Sequence, residues 1–269
     1  MKPKYIFFLF VILVVSCSES RKVSSTIENG QGGIATQGKL FASLFQQRSA
    51  EYHALCVQAY NIARYRLDEI LQNTTALKPK AIITDLDETV LDNSPAEVHQ
   101  DLEGKGFDSK EWNKWTAKAE ADTLPGSFSF FKYAASRNVE IFYISNRDEN
   151  DRVGTLQNLQ KFGFPNADNA HLLLRENASG KEVRRQKVMV DHDVLLLLGD
   201  NLSDFNELFD KKTVDQRLTT VQQLSALFGS RYVILPNPVY GDWESSIYNY
   251  RSLTTAQKDS AIKSQLHSY

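Results

Sequence analysis

The chain lacks most of the features that mark the commoner functional classes. It has only two cysteines, Cys17 and Cys56. It has no excess of either charge: 31 basic residues stand against 33 acidic ones, a formal net charge of −2. That balance leaves no sign of the basic stripe that nucleic-acid binding requires. No apolar run is long enough to span a bilayer, and no internal repeat at solenoid periods is visible. What remains is an ordinary globular composition, 42% hydrophobic and 24% charged. The length of 269 residues permits one large domain or two small ones.

The longest apolar run lies at the very start. Met1-Lys2-Pro3-Lys4 supplies positive charge, and Tyr5 to Val15 is almost purely apolar and of signal-peptide length. It stops at Val14-Val15-Ser16-Cys17, which resembles a bacterial lipobox, in which the signal is cut before a cysteine that then carries lipid. The plainer alternative is a secretory signal with an incidental cysteine. Lipidation at Cys17 would tie the protein to a membrane. Ser18, in place of the aspartate that retains enteric lipoproteins in the inner membrane, points to the outer membrane. Cys56 would then have no partner for a disulfide, and its place on an apolar helix face makes it a buried thiol. Residues 1–17 read as the signal, 18–38 as a polar, Ser- and Gly-rich tether, and 39–269 as the folded domain. Within it Tyr52, Leu55, Ala59, Ile62, Ala63, Leu67 and Ile70 recur at helical spacing, so 39–72 is expected to be helical, with a break near Gln46 to Ser49.

The stretch that organises the rest is Lys80 to Leu91. Ala81 to Thr84 reads as a short buried strand, and Asp85-Leu86-Asp87-Glu88-Thr89 follows directly. Two carboxylates just past a strand end repel each other, so they call for a cation, a proton or both. An Asp-rich turn capping a helix is the bland alternative. Two further strands end in polar groups. Val139 to Ile144 runs into Ser145-Asn146-Arg147, a pairing that suits either oxyanion binding or helix capping. Val194 to Leu198, the cleanest buried parallel strand, ends in Gly199-Asp200-Asn201-Leu202-Ser203-Asp204. Chance does not readily put three such ends at one sheet edge, and ligands of open α/β sheets bind there. Shorter strands are expected at Ala170 to Leu174 and Tyr232 to Leu235. Between the first two core strands, residues 96–124 form a polar insert with Trp112 and Trp115, placed where a cap over the site could be. Ser109 is expected to cap its helix. The tryptophans are either core anchors or a stacking surface.

Taken together, the ordered set resembles the haloacid dehalogenase (HAD) superfamily. More closely, it resembles the class C nonspecific acid phosphatases, the lipoprotein acid phosphatase or 5′-nucleotidase group. The motifs are Asp85 to Asn93, Ser145-Asn146-Arg147, a lysine best matched by Lys181, Gly199 to Phe205, and Leu235-Pro236-Asn237-Pro238-Val239-Tyr240-Gly241-Asp242-Trp243. The resemblance implies an α/β fold: a Rossmann-like parallel sheet with helices on both faces and a smaller helical cap. It implies hydrolysis of phosphomonoesters, nucleoside 5′-monophosphates foremost, with Asp85 as nucleophile and Asp87 as general acid and base. Mg²⁺ would be held by Asp85, the Asp87 backbone carbonyl and Asp200. Ser145, Asn146 and Lys181 would bind phosphate, and Asp204 would support Lys181. Trp115, Tyr240 and Trp243 are the candidates for lining the leaving-group pocket. Carboxylate crowding is expected around Asp87. Ala96 stands where the family often has an aromatic. A homodimer is the family expectation. The rival readings are a HAD phosphatase for sugar phosphates and a non-catalytic surface-binding lipoprotein on the same fold.

Overall fold

The computed structural model describes residues 33–73, 77–104, 106–176 and 179–269. Cys17, the lipobox and most of the expected tether lie outside these residues. The first helix, α1 (Ile34–Arg48), already occupies the end of the stretch expected to be tether, since it packs on α3 (Ser94–Leu102) and on the terminal helix α10 (Thr255–Gln265). The expected break falls at Ser49, which is extended, and its hydroxyl accepts the Tyr52 N–H at 3.0 Å. That oxygen starts α2 (Ala50–Asn73) as an N-cap serine would. Tyr52, Cys56, Ala59, Tyr60, Ala63 and Leu67 then fall on one buried face, three or four residues apart. None of the described helices is long and apolar enough to cross a membrane.

Five parallel strands form the sheet. β1 (Lys80–Thr84) is central, between β4 (Val139–Ile144) and β6 (Asp193–Gly199). β5 (Leu172–Leu173) lies outside β4, and β7 (Tyr232–Ile234) outside β6. In chain order the strands run third, second, first, fourth, fifth across the sheet. The winding reverses beside β1, so a crevice opens at its C-terminal end. Both faces are covered, as side chains alternate along each strand. Ile82, Ile141, Leu196 and Leu198 pack in one cluster with Leu67, Tyr60 and Phe131 from α2 and α5 (Ser127–Ser136). Ile83, Phe142, Ile144 and Leu197 pack in the other, with Val188 of α7 (Glu182–Asp191) and Phe205. Each such aliphatic side chain contributes about 1.5–3 kcal/mol by leaving water, and truncating Ile82 to Ala would cost about 2–5 kcal/mol.

The insert is tied at its base by a two-stranded antiparallel ribbon, β2 (Leu91–Asp92) with β3 (Asp122–Thr123). Between them lie α3 and α4 (Ser109–Lys118). The α4 N-cap is Asp108 rather than Ser109: its carboxylate accepts the Lys110 and Glu111 N–H groups at 2.8 and 3.0 Å. A charged acceptor at a helix N-terminus outcompetes a hydroxyl one residue later. The remaining helices are α6 (Arg152–Phe162), α8 (Val214–Gln223) and α9 (Asp242–Ile247).

Candidate active site

Asp85 sits directly beyond β1, with its N–H extending the ladder to the Leu198 carbonyl at 2.9 Å. Its buried carboxylate accepts from the Lys181 ammonium, which also pairs with Asp204 at 2.6 Å. Lys181 reaches them from the residue preceding α7. Asp200, one residue past β6, accepts from Asn237 Nδ2 at 2.8 Å and from the Thr89 hydroxyl at 3.4 Å. Asp204 is folded back by a short turn whose Asn201 N–H donates to it at 2.9 Å. That return passes so close to Gly199 that a Cβ there would lie 2.3 Å from the Asp204 carboxylate. Gly199 therefore permits the approach by having no side chain.

One oxygen each from Asp85, Asp200 and Asp204 lies within 4.8 Å of the others. Burial pushes the Asp85 carboxyl up; Lys181 pulls it back, and Asp204 and Asp87 push it further up. Asp200 is driven well above the usual carboxylate range by burial, then by Asp204 and Asp85. Burial by itself lowers the Lys181 ammonium, but Asp204 and Asp85 outweigh it and raise it. Three crowded carboxylates thus share one ammonium, and an oxygen-only donor set of this kind fits a hard divalent cation.

Asp87 has different surroundings. The carboxylate crowding expected around it falls instead on Asp85 and Asp200. Asp87 accepts from Arg147 Nη2 at 2.8 Å and Nε at 3.0 Å, from Asn93 Nδ2 at 2.8 Å and from the Ser145 hydroxyl at 3.3 Å. Ser145 is fully buried and turned towards Asp87, whereas Asn146 is exposed at the cleft. The Asn146 carbonyl oxygen accepts from Arg184 Nη2 at 2.7 Å, which leaves its NH₂ free to donate. Arg147, Asn93 and Arg184 are the functional contacts that the sequence reading left without a role. Arg147 and Asn93 stood inside the quoted motifs, but Arg184 lay in a basic run that looked like a solvated face.

The cleft holding these groups has a volume of about 420 Å³ and is walled by α1, the cap and the loop before α9. Tyr240 lines it. Trp115 does not: Trp112, one turn earlier on α4, takes that place, with the Arg147 guanidinium 5.5 Å from its ring centre. Trp115 packs against the main core and donates its indole N–H to Asn93 at 2.8 Å. Trp243 also lies elsewhere, on an apolar groove of about 890 Å³ between α2, α8 and β7. Ala96 is buried and does not line the cleft.

Comparison with known proteins gives a consistent picture. The family model described as HAD superfamily, subfamily IIIB (acid phosphatase) matches residues 13–243. The class C acid phosphatase from Bacillus anthracis is 44% identical, with 87% of this chain and 99% of that chain covered and a TM-score of 0.84. The structure of the Bacillus anthracis enzyme with tungstate bound is 43% identical, covering 88% and 99%, with a TM-score of 0.83. Acid phosphatase 1 of Solanum lycopersicum is 26% identical over 166 residues, 59% of this chain and 57% of that protein, so this chain spans little more than half of that relative's length. The match to the family model extends over most of the chain and includes every residue of the cleft's acidic centre: the protein belongs to the subfamily IIIB acid phosphatases of the HAD superfamily.

Proposed function

We propose that the protein is a Mg²⁺-dependent acid phosphatase. It hydrolyses small phosphomonoesters, nucleoside 5′-monophosphates among them, through an aspartyl-phosphate on Asp85. The observation that carries this is the buried Asp85 carboxylate at a strand end, held by Lys181 and facing Asp200 and Asp204. Tungstate, bound by the Bacillus anthracis relative, is a tetrahedral oxyanion like phosphate.

Phosphate monoesters are among the slowest substrates to hydrolyse unaided. In the first step an Asp85 oxygen attacks phosphorus, the bond to the leaving oxygen breaks, and Asp87 gives that oxygen its proton. In the second, Asp87 takes a proton from water, the water oxygen bonds to phosphorus, and the Asp85–phosphorus bond breaks. Lys181 holds Asp85 in place, and Asn146 turns an NH₂ group towards the phosphate oxygens. Asp85, Asp200 and the Asp87 backbone carbonyl would hold the ion, which when bound offsets the repulsion between nucleophile and substrate. As the acid phosphatase description of its family suggests, activity is expected to be greatest at acid pH. Tyr240 offers a ring on which any nucleobase stacks, backed by the nearly buried Trp112. Lipidation at Cys17 would place the enzyme on the outer membrane of a bacterial envelope, and a Cys17→Ser variant recovered in the soluble fraction would support it.

The test is phosphate release by the chain lacking residues 1–20, with nucleoside monophosphates and sugar phosphates at mildly acidic pH. Release that is lost with EDTA, restored by Mg²⁺ and absent in Asp85→Asn supports the proposal. A folded, Mg²⁺-loaded protein that releases none from either class refutes it.

A further inference from the structure

Trp115, which is absent from the cleft, has a different task. The Asn93 side chain is fully buried between Trp115, Arg147 and Asp87. Its carbonyl oxygen receives the Trp115 indole N–H at 2.8 Å and Arg147 Nη2 at 3.3 Å. Indole and guanidinium can only donate, so that end of the amide must be the oxygen. The NH₂ end is thereby turned onto Asp87 Oδ1, at 2.8 Å. The backbone is held as well. Glu88, in the left-handed region at φ 55°, folds its carboxyl back beneath the loop, where it accepts the Asn93 N–H at 2.8 Å. Asn93 also precedes α3, so the cap and the catalytic loop meet at this one side chain.

We infer that Trp115 and Asn93 are positioning residues for Asp87: the indole sets the orientation of the amide, and the amide fixes the carboxyl that protonates the leaving group. This rests on the phosphatase reading above. It makes cap helix α4 part of the acid–base machinery, independently of any contact with substrate.

Leaving groups separate this role from a structural one. A p-nitrophenolate departs readily without a proton, whereas an alkoxide such as a nucleoside 5′-oxygen needs one. The experiment measures kcat/KM, which covers the steps up to leaving-group departure, for p-nitrophenyl phosphate and for a nucleoside 5′-monophosphate. It compares wild type, Trp115→Phe and Asn93→Asp. Trp115→Phe keeps the packing and removes the donor; Asn93→Asp keeps the shape and replaces a donor to Asp87 by a second acceptor. Misplaced general acids lose part of a contribution of about 10²–10⁴-fold. We therefore expect the alkyl-to-aryl ratio to fall about 10-fold in Trp115→Phe and about 100-fold in Asn93→Asp. The ratio does not depend on how much of a variant folds. Equal losses on both esters, or no loss on either, would overturn the inference while leaving the phosphatase reading intact. A wild type inactive on both esters would overturn that reading, and the inference with it.

Discussion

Asp85 and Asp87 lie two residues apart on one loop and occupy opposite electrostatic worlds. Asp85 faces two other carboxylates and a single ammonium, a pocket short of positive charge. Asp87 is enclosed by a guanidinium, an amide and a hydroxyl, all donating to it. The first arrangement suits a group that meets a cation; the second holds a carboxyl in one fixed position. The lesson is that an Asp-x-Asp motif separates two roles because the strand stops before it: residues i and i+2 of a continuing strand would share a face, whereas past the end of β1 one aspartate stays with the sheet edge and the other turns towards the cap.

The largest effects should break this contrast directly. Asp85→Asn should lower kcat at least about 10⁴-fold on aryl and alkyl phosphates alike, whereas Asp87→Asn should spare kcat/KM for the aryl ester relative to the alkyl ester. Equal selectivity in the two variants, measured by steady-state phosphate release, would erase the distinction. Lys181→Met should be next. It strands the Asp85 and Asp204 carboxylates without their cation and should cost about 3–5 kcal/mol in urea unfolding of the metal-free protein, with part regained on adding Asp204→Asn. Tyr240→Ala should raise KM for nucleoside monophosphates about 10-fold, while Trp243→Ala, outside the cleft, should change it less than about 2-fold. The smallest effect concerns Glu97 on the cleft wall, whose carboxyl burial pushes up to about 7, with Lys39 opposing and Asp101 and Glu244 adding. Between its unfolded value near 4.5 and about 7, the folded protein holds a proton that the unfolded chain has lost. Stability therefore falls as pH rises through that window. In thermal unfolding, Glu97→Gln should gain a few degrees over wild type at pH 7.5 and almost nothing at pH 4.5.

The sheet was legible because its strands are short, apolar and end abruptly. Val139 to Ile144 matches β4 residue for residue, and Val194 to Leu198 lies within β6. The same abrupt ends revealed Asp85, Asp200 and Asn146, since a strand end points its next residues at the crevice. The cap was harder. Trp112 and Trp115 stand three residues apart on one polar helix, and only the direction in which α4 packs on the core decides which ring borders the cleft. Trp243 misled for a related reason: it follows Tyr240 in a proline-stiffened loop, but Gly241 at φ 141° turns the chain, and the indole leaves the cleft. Arg184 was hidden by its neighbours. A buried guanidinium that supports Asn146 has the same composition as an exposed one in a basic helix.

The close passage of Asp204 over Gly199 makes the intervening turn a gauge of fixed length. The turn sets how far the supporting carboxylate stands from the sheet, and with it how far Lys181 can be drawn from Asp85. The turn's own side chains hold it too: Leu202 packs on the sheet, and the Ser203 hydroxyl donates to Asp242 at 2.6 Å. An inserted residue, or any side chain at Gly199, would reset the gauge, so neither a change in the length of this turn nor a substitution at Gly199 should be tolerated.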